Sequence, residues 1–410
     1  MSGIIVTRTE KHVIKKTNKY FNMLLDFCRL SKNLYNHANY VVKHEFINSG
    51  KWIRYQELEN NLKNDIDFPD YRNMPLAQSA QQIIKLVDKN WKSFFSSMKD
   101  WSKHPEKYHG KPKMPKYKNK NGYFLLILTN QNCRIKDSVI VFPKCFNSFS
   151  IKTKLTKNTN FKSLQQVRLI PHKNRIVVEI VYNTMATKML EDNGRYVGID
   201  IGVNNLATVA NNCHIPPFII NGKPLKSINQ NYNKKTSRYK SICKQMNNLY
   251  STKRIDTITT KRNEKISDYM HKASKKVIDF CVENNINTII IGKNDGWKQN
   301  CDMYKRINQN FVQIPFARFI EMIEYKAENV GITVILTEES YTSGTSFIDG
   351  ENPEKCVYNK SRRVHRGLFK SNTGICINAD LNGAYQIMKK VVPIKWDSGC
   401  ALHPIVVNIN

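Results

Sequence analysis

From residue 195 onward the chain alternates short apolar runs with long amphipathic ones, and this order restricts the fold more than any other feature. Residues 196–199, 286–291 and 332–336 read as buried strands, with a further strand at Leu206, Ala207 and Val209. Residues 225–249, 256–284 and 316–329 read as helices. Strands that alternate with helices pack as an α/β layer. The first of these strands ends on Asp200, with Gly198 and Gly202 to either side. Glycines there leave the backbone open to a close approach. A carboxylate at the end of a buried strand suggests a metal ion held against a phosphate. Alone, it would be read as a turn cap.

Charge makes the phosphate plausible. The 410 residues hold 65 Lys+Arg against 33 Asp+Glu, a net charge of +32. The excess runs along the whole chain, so it is no single basic tail. Such a field attracts polyanions and makes binding salt-dependent, and nucleic acid is the first partner to consider. No apolar run long enough for a bilayer and no signal peptide is present, so no membrane partner is expected. The ten cysteines form no C-x-x-C pair and read as free thiols. The length allows two or three domains.

Before residue 195 the pattern differs. Residues 3–8 look like one strand. Residues 17–48 and 76–101 carry apolar side chains at spacings of three and four, which predicts two long amphipathic helices, with a shorter one near 55–62. Residues 103–120 hold three prolines, which exclude a regular helix. In this stretch Lys111, Lys113, Lys116 and Lys118 can neutralise phosphates, and Tyr117 can stack on a base. Short β-type runs at 124–128, 139–142, 149–151, 166–169 and 176–181 could form a small barrel with the first strand. The helical module would be an insertion into it. The basic helices after 225 add further candidates for phosphate contact, Arg262 among them.

Two more acidic sites match Asp200. The strand 332–336 runs into Thr337-Glu338-Glu339, and Gly374–Asp380 leads into a helix, so that Asp380 stands at a helix start where the dipole favours an anion. Strand–Asp, strand–Glu and helix-start Asp in one α/β domain are what a ribonuclease H-like nuclease site needs. Mg²⁺, or Mn²⁺, takes oxygen ligands and keeps several waters, so two or three carboxylates suffice. Two such ions can activate water and stabilise a leaving oxygen in an in-line displacement. Asp200 would bridge both ions, with Glu339 and Asp380 each helping to hold one.

At these residues the chain resembles a known family. Gly198-Ile199-Asp200-Ile201-Gly202-Val203-Asn204-Asn205, Tyr341-Thr342-Ser343 and Asn378-Ala379-Asp380-Leu381-Asn382-Gly383-Ala384 look like the RuvC motifs of TnpB. TnpB proteins are transposon-encoded RNA-guided DNA endonucleases, relatives of type V CRISPR effectors and of Fanzor proteins. Asn33–Asn36, Gln82–Ile84 and Trp91–Phe95 extend the likeness into the helical part. The chain departs from the common pattern twice. Where a Glu usually ends the second RuvC strand it has Gly292. Glu339 then fits the relocated acid of the Fanzor-like subgroup, with Glu338 as fallback and Asp295 as a weaker substitute. The four-cysteine zinc ribbon expected after Tyr341-Thr342-Ser343 is also missing. Cys356, His365 and Cys376 offer too few ligands, so zinc is not expected there. Arg362, Arg363 and Arg366 instead suggest a basic lid on the phosphates of the strand being cut.

The resemblance implies an organisation and a function. Residues 1–15 and 104–185 would be a wedge-like β-barrel, 16–103 a helical recognition module, and 186–340 with 371–410 the RuvC-like nuclease domain. Residues 341–370 would be a target-strand lid without zinc. The implied activity is RNA-guided DNA cleavage by metal-dependent phosphodiester hydrolysis at one RuvC site, after recognition of a transposon-adjacent motif. The implied partners are a guide RNA from the protein's own element and double-stranded target DNA, bound by a monomer or weak dimer. Such a protein would work in the cytoplasm at the nucleoid of a prokaryote, or in the nucleus for a eukaryotic or viral source. The alternatives are a nuclease-dead RNA-guided repressor and a transposase accessory protein without guide RNA.

Overall fold

A computed structural model describes residues 3–157, 160–247, 251–294 and 305–409. The chain divides into two compact units, Ile5–Met185 and Ala186–Asn410, the latter with the chain's first residues.

The first unit joins three helices to two sheets around one apolar core. Strand β1 (Ile4–Lys15) is longer than the predicted 3–8. Its two-residue alternation persists through Lys11 and Val13, with Val6 and Ile14 turned inward. Helices α1 (Phe21–Ser49), α2 (Tyr55–Asn64) and α3 (Ala77–Lys103) follow. Leu24, Leu34 and Ala38 of α1 and Ile83, Val87 and Trp91 of α3 are fully buried, the outcome of their three- and four-residue spacing. The strands are β2 (Leu126–Thr129), β3 (Arg134–Lys136), β4 (Val139–Val141), β5 (Ser150–Lys152), β6 (Phe161–His172) and β7 (Arg175–Ala186). They lie in a four-stranded sheet, β1-β7-β6-β2, and a three-stranded one, β3-β4-β5. Where the sequence suggested one small barrel, the unit has two hydrogen-bonded sheets that share the helices' core.

The second unit is an α/β layer. Its strands are β8 (Tyr196–Asp200), β9 (Asn205–Asn211) and β10 (Phe218–Asn221), followed by helices α4 (Lys223–Asn247) and α5 (Lys253–Glu283). Then come β11 (Thr288–Gly292), α6 (Lys305–Gln313), α7 (Phe316–Asn329) and β12 (Thr333–Thr337). Three short strands, β13 (Arg363–His365), β14 (Leu368–Lys370) and β15 (Cys376–Asn378), precede α8 (Ala379–Lys389) and the terminal β16 (Ile405–Val407).

The main sheet has the order β12-β11-β8-β9-β10-β16. Strand β8 pairs in parallel with β11 and antiparallel with β9, and β11 pairs in parallel with β12. Ile289, Ile290 and Ile291 are fully buried because both faces are covered. Ile289 and Ile291 pack with α5 and α7, and Ile290 with α8. That sandwich fixes β8 centrally and lays α8 across its end.

Candidate functional site

Asp200 is the last residue of β8, opposite Thr208 of β9. The close approach of α8 depends on Gly198. A Cβ there would stand 2.4 Å from the backbone oxygen of Ala384, so any larger residue would force strand and helix apart. The same helix carries Asp380 in its first turn. Asn378 caps it, its side chain accepting from the N–H groups of Asp380 and Leu381, each at 3.1 Å. Asp380 Oδ2 accepts from Asn205 Nδ2 at 2.7 Å, and Oδ1 from Arg363 Nη2 at 3.0 Å.

Glu339 lies two residues beyond β12. Asn294 grips it from two sides: its Nδ2 donates to Glu339 Oε1 at 3.2 Å, and its Oδ1 accepts from the Glu339 N–H at 3.0 Å. Gly292, where the family pattern has its acid, ends the neighbouring strand. A Cβ at 292 would lie 3.2 Å from the Cβ of Glu339, so the relocated side chain starts beside the spot a strand-end acid would occupy. Glu338 behaves differently. Its exposed carboxylate accepts from the Ser340 hydroxyl and lines an open cleft of about 770 Å³ with Lys293, Asn294, Leu336 and Thr337. Asp295 lies outside the described residues.

The electrostatics tie Asp200, Glu339 and Asp380 together. Burial pushes the Asp200 carboxyl well above the usual carboxylate range, and the negative charges of Asp380 and Glu339 push it further, against a smaller pull from Arg363. Burial also raises Glu339, with Lys390 opposing. No hydrogen-bond donor among the described residues meets the Asp200 carboxylate. An all-oxygen donor set with a bare, destabilised carboxylate at its centre fits a hard divalent cation such as Mg²⁺ or Mn²⁺. The three carboxylates do not draw to within 4.8 Å of one another.

The predicted nucleic-acid contacts sort into two groups. Lys111, Lys113, Lys116 and Tyr117 are exposed on an extended strap that crosses α1. Asn36 clamps Lys118, donating to its carbonyl at 2.9 Å and accepting from its N–H at 2.7 Å, and Asn39 donates to the Pro115 carbonyl at 3.1 Å. Asn39 in turn accepts from the Trp91 indole at 2.9 Å. Lys118 itself is half-buried. Its Nζ sits 4.5 Å above the rings of Tyr35 and Phe124, and burial holds its pKa below the usual lysine value.

Arg366 is exposed, whereas two other arginines of the expected phosphate contacts meet protein groups in this structure. Arg362 forks onto Glu351, at 2.7 and 2.8 Å, and donates to the Val357 carbonyl at 3.0 Å. Burial pushes Glu351 up, yet that fork and the Ser346 N–H outweigh it and hold the carboxyl below its usual value. Arg262 donates to Asn229 and to the Gln313 carbonyl, each at 2.8 Å, and so joins helices within the unit. Arg363, half-buried, stays beside the carboxylates. Cys356, His365 and Cys376 form no three-ligand group among the described residues.

Sequence reasoning missed the roles of Asn294 and Asn205. Asn205 stands inside the Gly198–Asn205 motif and could have been found as a polar residue repeated after the acid. Nothing local marks Asn294, which meets Glu339 only through the pairing of β11 with β12.

Similarity to known proteins follows the same two stretches. The OrfB_IS605 family model, described as a probable transposase, matches residues 176–298, and the Cas12f1-like TNB domain matches residues 316–387. A CRISPR-associated endodeoxyribonuclease Cas12f2 from Micrarchaeota archaeon (strain CG1_02_47_40) is 28% identical over 212 residues, 48% of this chain. The match spans 37% of that relative's length. Among solved structures, the mini-RNA-guided endonuclease CRISPR-Cas_phi3 superposes with a TM-score of 0.46 at 10% identity, covering 98% of this chain and 94% of that one. The Cas12f1-sgRNA-target DNA complex gives 0.37 at 16% identity, covering 93% and 98%. No helix among the described residues is long and apolar enough to cross a membrane.

Proposed function

For a chain that is a TnpB-like relative of the type V CRISPR effectors, we propose the activity of an RNA-guided DNA endonuclease with a single RuvC-type site. Its partners are a guide RNA from its own element and a double-stranded DNA carrying a short element-adjacent motif. The observation that carries the reading is the electrostatic convergence of Asp200, Glu339 and Asp380 at the end of β8. An isolated turn cap would not feel two further carboxylates, as Asp200 does.

Each carboxylate has its own support. Asp200 sits on a central strand, held on both faces. Glu339 is aimed by Asn294, and Asp380 is oriented by Asn205 and the cap of α8. Bound Mg²⁺ or Mn²⁺ would supply an activated water and charge neutralisation at the leaving oxygen. Arg363 offers a positive charge beside the carboxylates, suited to a non-bridging phosphate oxygen. The exposed lysines of the strap and Tyr117 suit a nucleic-acid backbone and its bases.

The test is cleavage of a plasmid carrying the guide's target, using protein purified with RNA expressed from its own locus. Wild type should cut only with Mg²⁺ or Mn²⁺ and guide, and Asp200→Ala should bind target without cutting. Cutting by Asp200→Ala, or cutting that ignores the guide, would sink the reading. Guided binding with no cutting by wild type would leave a repressor in its place.

A further inference from the structure

Far along the sheet from the carboxylates, a second set of potential ligands converges in the Ala186–Asn410 unit. His214, Asp397 and Cys400 bring one ligand atom each to within 4.8 Å of one another. We propose that these three side chains form a zinc site that fastens the C-terminal segment to the loop between β9 and β10.

The donor set argues for zinc over magnesium. Imidazole and thiolate are soft ligands that Mg²⁺ avoids, and Zn²⁺ takes His, Cys and Asp together in tetrahedral sites. One neutral imidazole, one thiolate and one carboxylate cancel the ion's double charge. Metal–ligand bonds of ~2.0–2.3 Å put tetrahedral ligand atoms ~3.3–3.8 Å apart. His214 Nε2 and Asp397 Oδ2 are already 3.1 Å apart, so only the thiol has to close in. On binding, the Cys400 thiol proton leaves to solvent and its sulfur pair goes to the metal. The exposed side chains of His214 and Asp397 leave a fourth position for water.

The backbone holds the ligands as a metal site requires. Asp397-Ser398-Gly399-Cys400 is a tight turn: the Cys400 N–H donates to the Asp397 carbonyl at 3.1 Å. It delivers two ligands three residues apart, as a C-x-x-C knuckle does. The Gly399 N–H donates to Asp397 Oδ1 at 2.8 Å, which orients the carboxylate and turns Oδ2 to His214 Nε2, in a hydrogen bond whose place the ion would take. Gly399 also lets the imidazole in, since a Cβ there would stand 2.8 Å from the ring of His214. His214 occupies a left-handed conformation at φ 58°, which costs a residue with a Cβ energy and marks places where geometry is imposed. Asn211 pins that loop, its Oδ1 accepting from the Cys213 and Ile215 N–H groups at 3.0 and 3.2 Å. On the other side Trp396, Cys400 and Leu402 pack against the α8 core. The chain then continues into β16, whose Ile405 N–H reaches the Pro217 carbonyl at 2.9 Å. Zinc would thus join two segments that β16 and β10 bring together.

The test uses the full-length protein and metal alone. Purified without chelator and dialysed into Mg²⁺ buffer, wild type should retain equimolar zinc by mass spectrometry. After stripping, Co²⁺ should give the charge-transfer band of a thiolate ligand and the visible bands of a tetrahedral centre. His214→Gln and Cys400→Ser, checked for native circular dichroism, should each weaken Co²⁺ binding at least tenfold and lose those bands. Cys376→Ser should keep them. Wild type without zinc and without cobalt bands would overturn the proposal. So would a Cys400→Ser variant that binds cobalt as wild type does, which would mean an adventitious ion on other thiols. Plasmid cleavage takes no part in the test, so it stands or falls separately from the nuclease reading.

Discussion

The two ligand clusters of the Ala186–Asn410 unit differ in chemistry, depth and support. Asp200, Glu339 and Asp380 are oxygen ligands on strand and helix ends, half-buried, and they repel one another. His214, Asp397 and Cys400 mix nitrogen, oxygen and sulfur on two loops, mostly exposed, and His214 is already paired with Asp397. The first arrangement stores unfavourable charge that a cation relieves, which suits an ion that must meet substrate. The second is nearly satisfied without an ion, which suits a fastening. Hard and soft donors would let one unit hold two different metals.

The largest effect that could break this contrast is at Asp200. Asp200→Ala removes the proposed bridging ligand, and a loss of about 4 kcal/mol of transition-state stabilisation corresponds to a fall of about 10³-fold in the cleavage rate. Zinc content should not change. A variant that loses both would mean that the clusters are one system. Next comes the acid pair: in single-turnover plasmid cleavage Glu339→Gln should be inactive, whereas Glu338→Gln, whose carboxylate faces the cleft, should cut. The reverse result would move the ligand by one residue.

A smaller effect is expected at the loop cluster. With zinc a hundredfold above its dissociation constant, losing the site costs about 2.7 kcal/mol. For a unit of this size that is a melting-temperature drop of roughly 5–10 °C, read by differential scanning calorimetry of Cys400→Ser. Identical melting curves with and without zinc would argue against a fastening.

The smallest expected effect concerns pH. Burial and the neighbouring carboxylates raise Asp200 in the folded chain, so between the ordinary carboxylate pKa and that raised value the native state binds more protons than the unfolded one. The Asp200 contribution to the stability of chelator-treated protein should therefore be fullest below the unfolded pKa and be lost as pH rises through the folded one. Mg²⁺, or the change Asp200→Asn, should flatten that slope. A slope unchanged in Asp200→Asn would mean that the strain lies elsewhere.

What the sequence revealed follows the reach of each signal. The α/β alternation after residue 195 was legible because Ile289–Ile291 and the apolar faces of α5 and α7 are continuous local patterns. Strand β16 was not: Ile405, Val406 and Val407 are three apolar residues with no period to read. Asp200 and Asp380 were legible through the residues around them, and Glu339 through its order in the chain. Its preference over Glu338 is tertiary, since Asn294 stands 45 residues away. The charge of Arg362 was legible, but its partner, Glu351, is recognisable only after the loop folds back. His214 and Asp397 are 183 residues apart, and each alone looks like any surface residue.

The strap over α1 has a consequence for mutational freedom. Asn36 and Asn39 hold the peptide groups of Lys118 and Pro115, not their side chains. The lysines that project from the strap can therefore be exchanged for arginine one at a time without altering its course. A change at either asparagine would shift all of them at once. The course of this row of charges is thus set from another element, by Asn36 and Asn39 and, at the Lys120 carbonyl, by Lys32, and drift in the projecting cations should be tolerated where drift in these anchors is not.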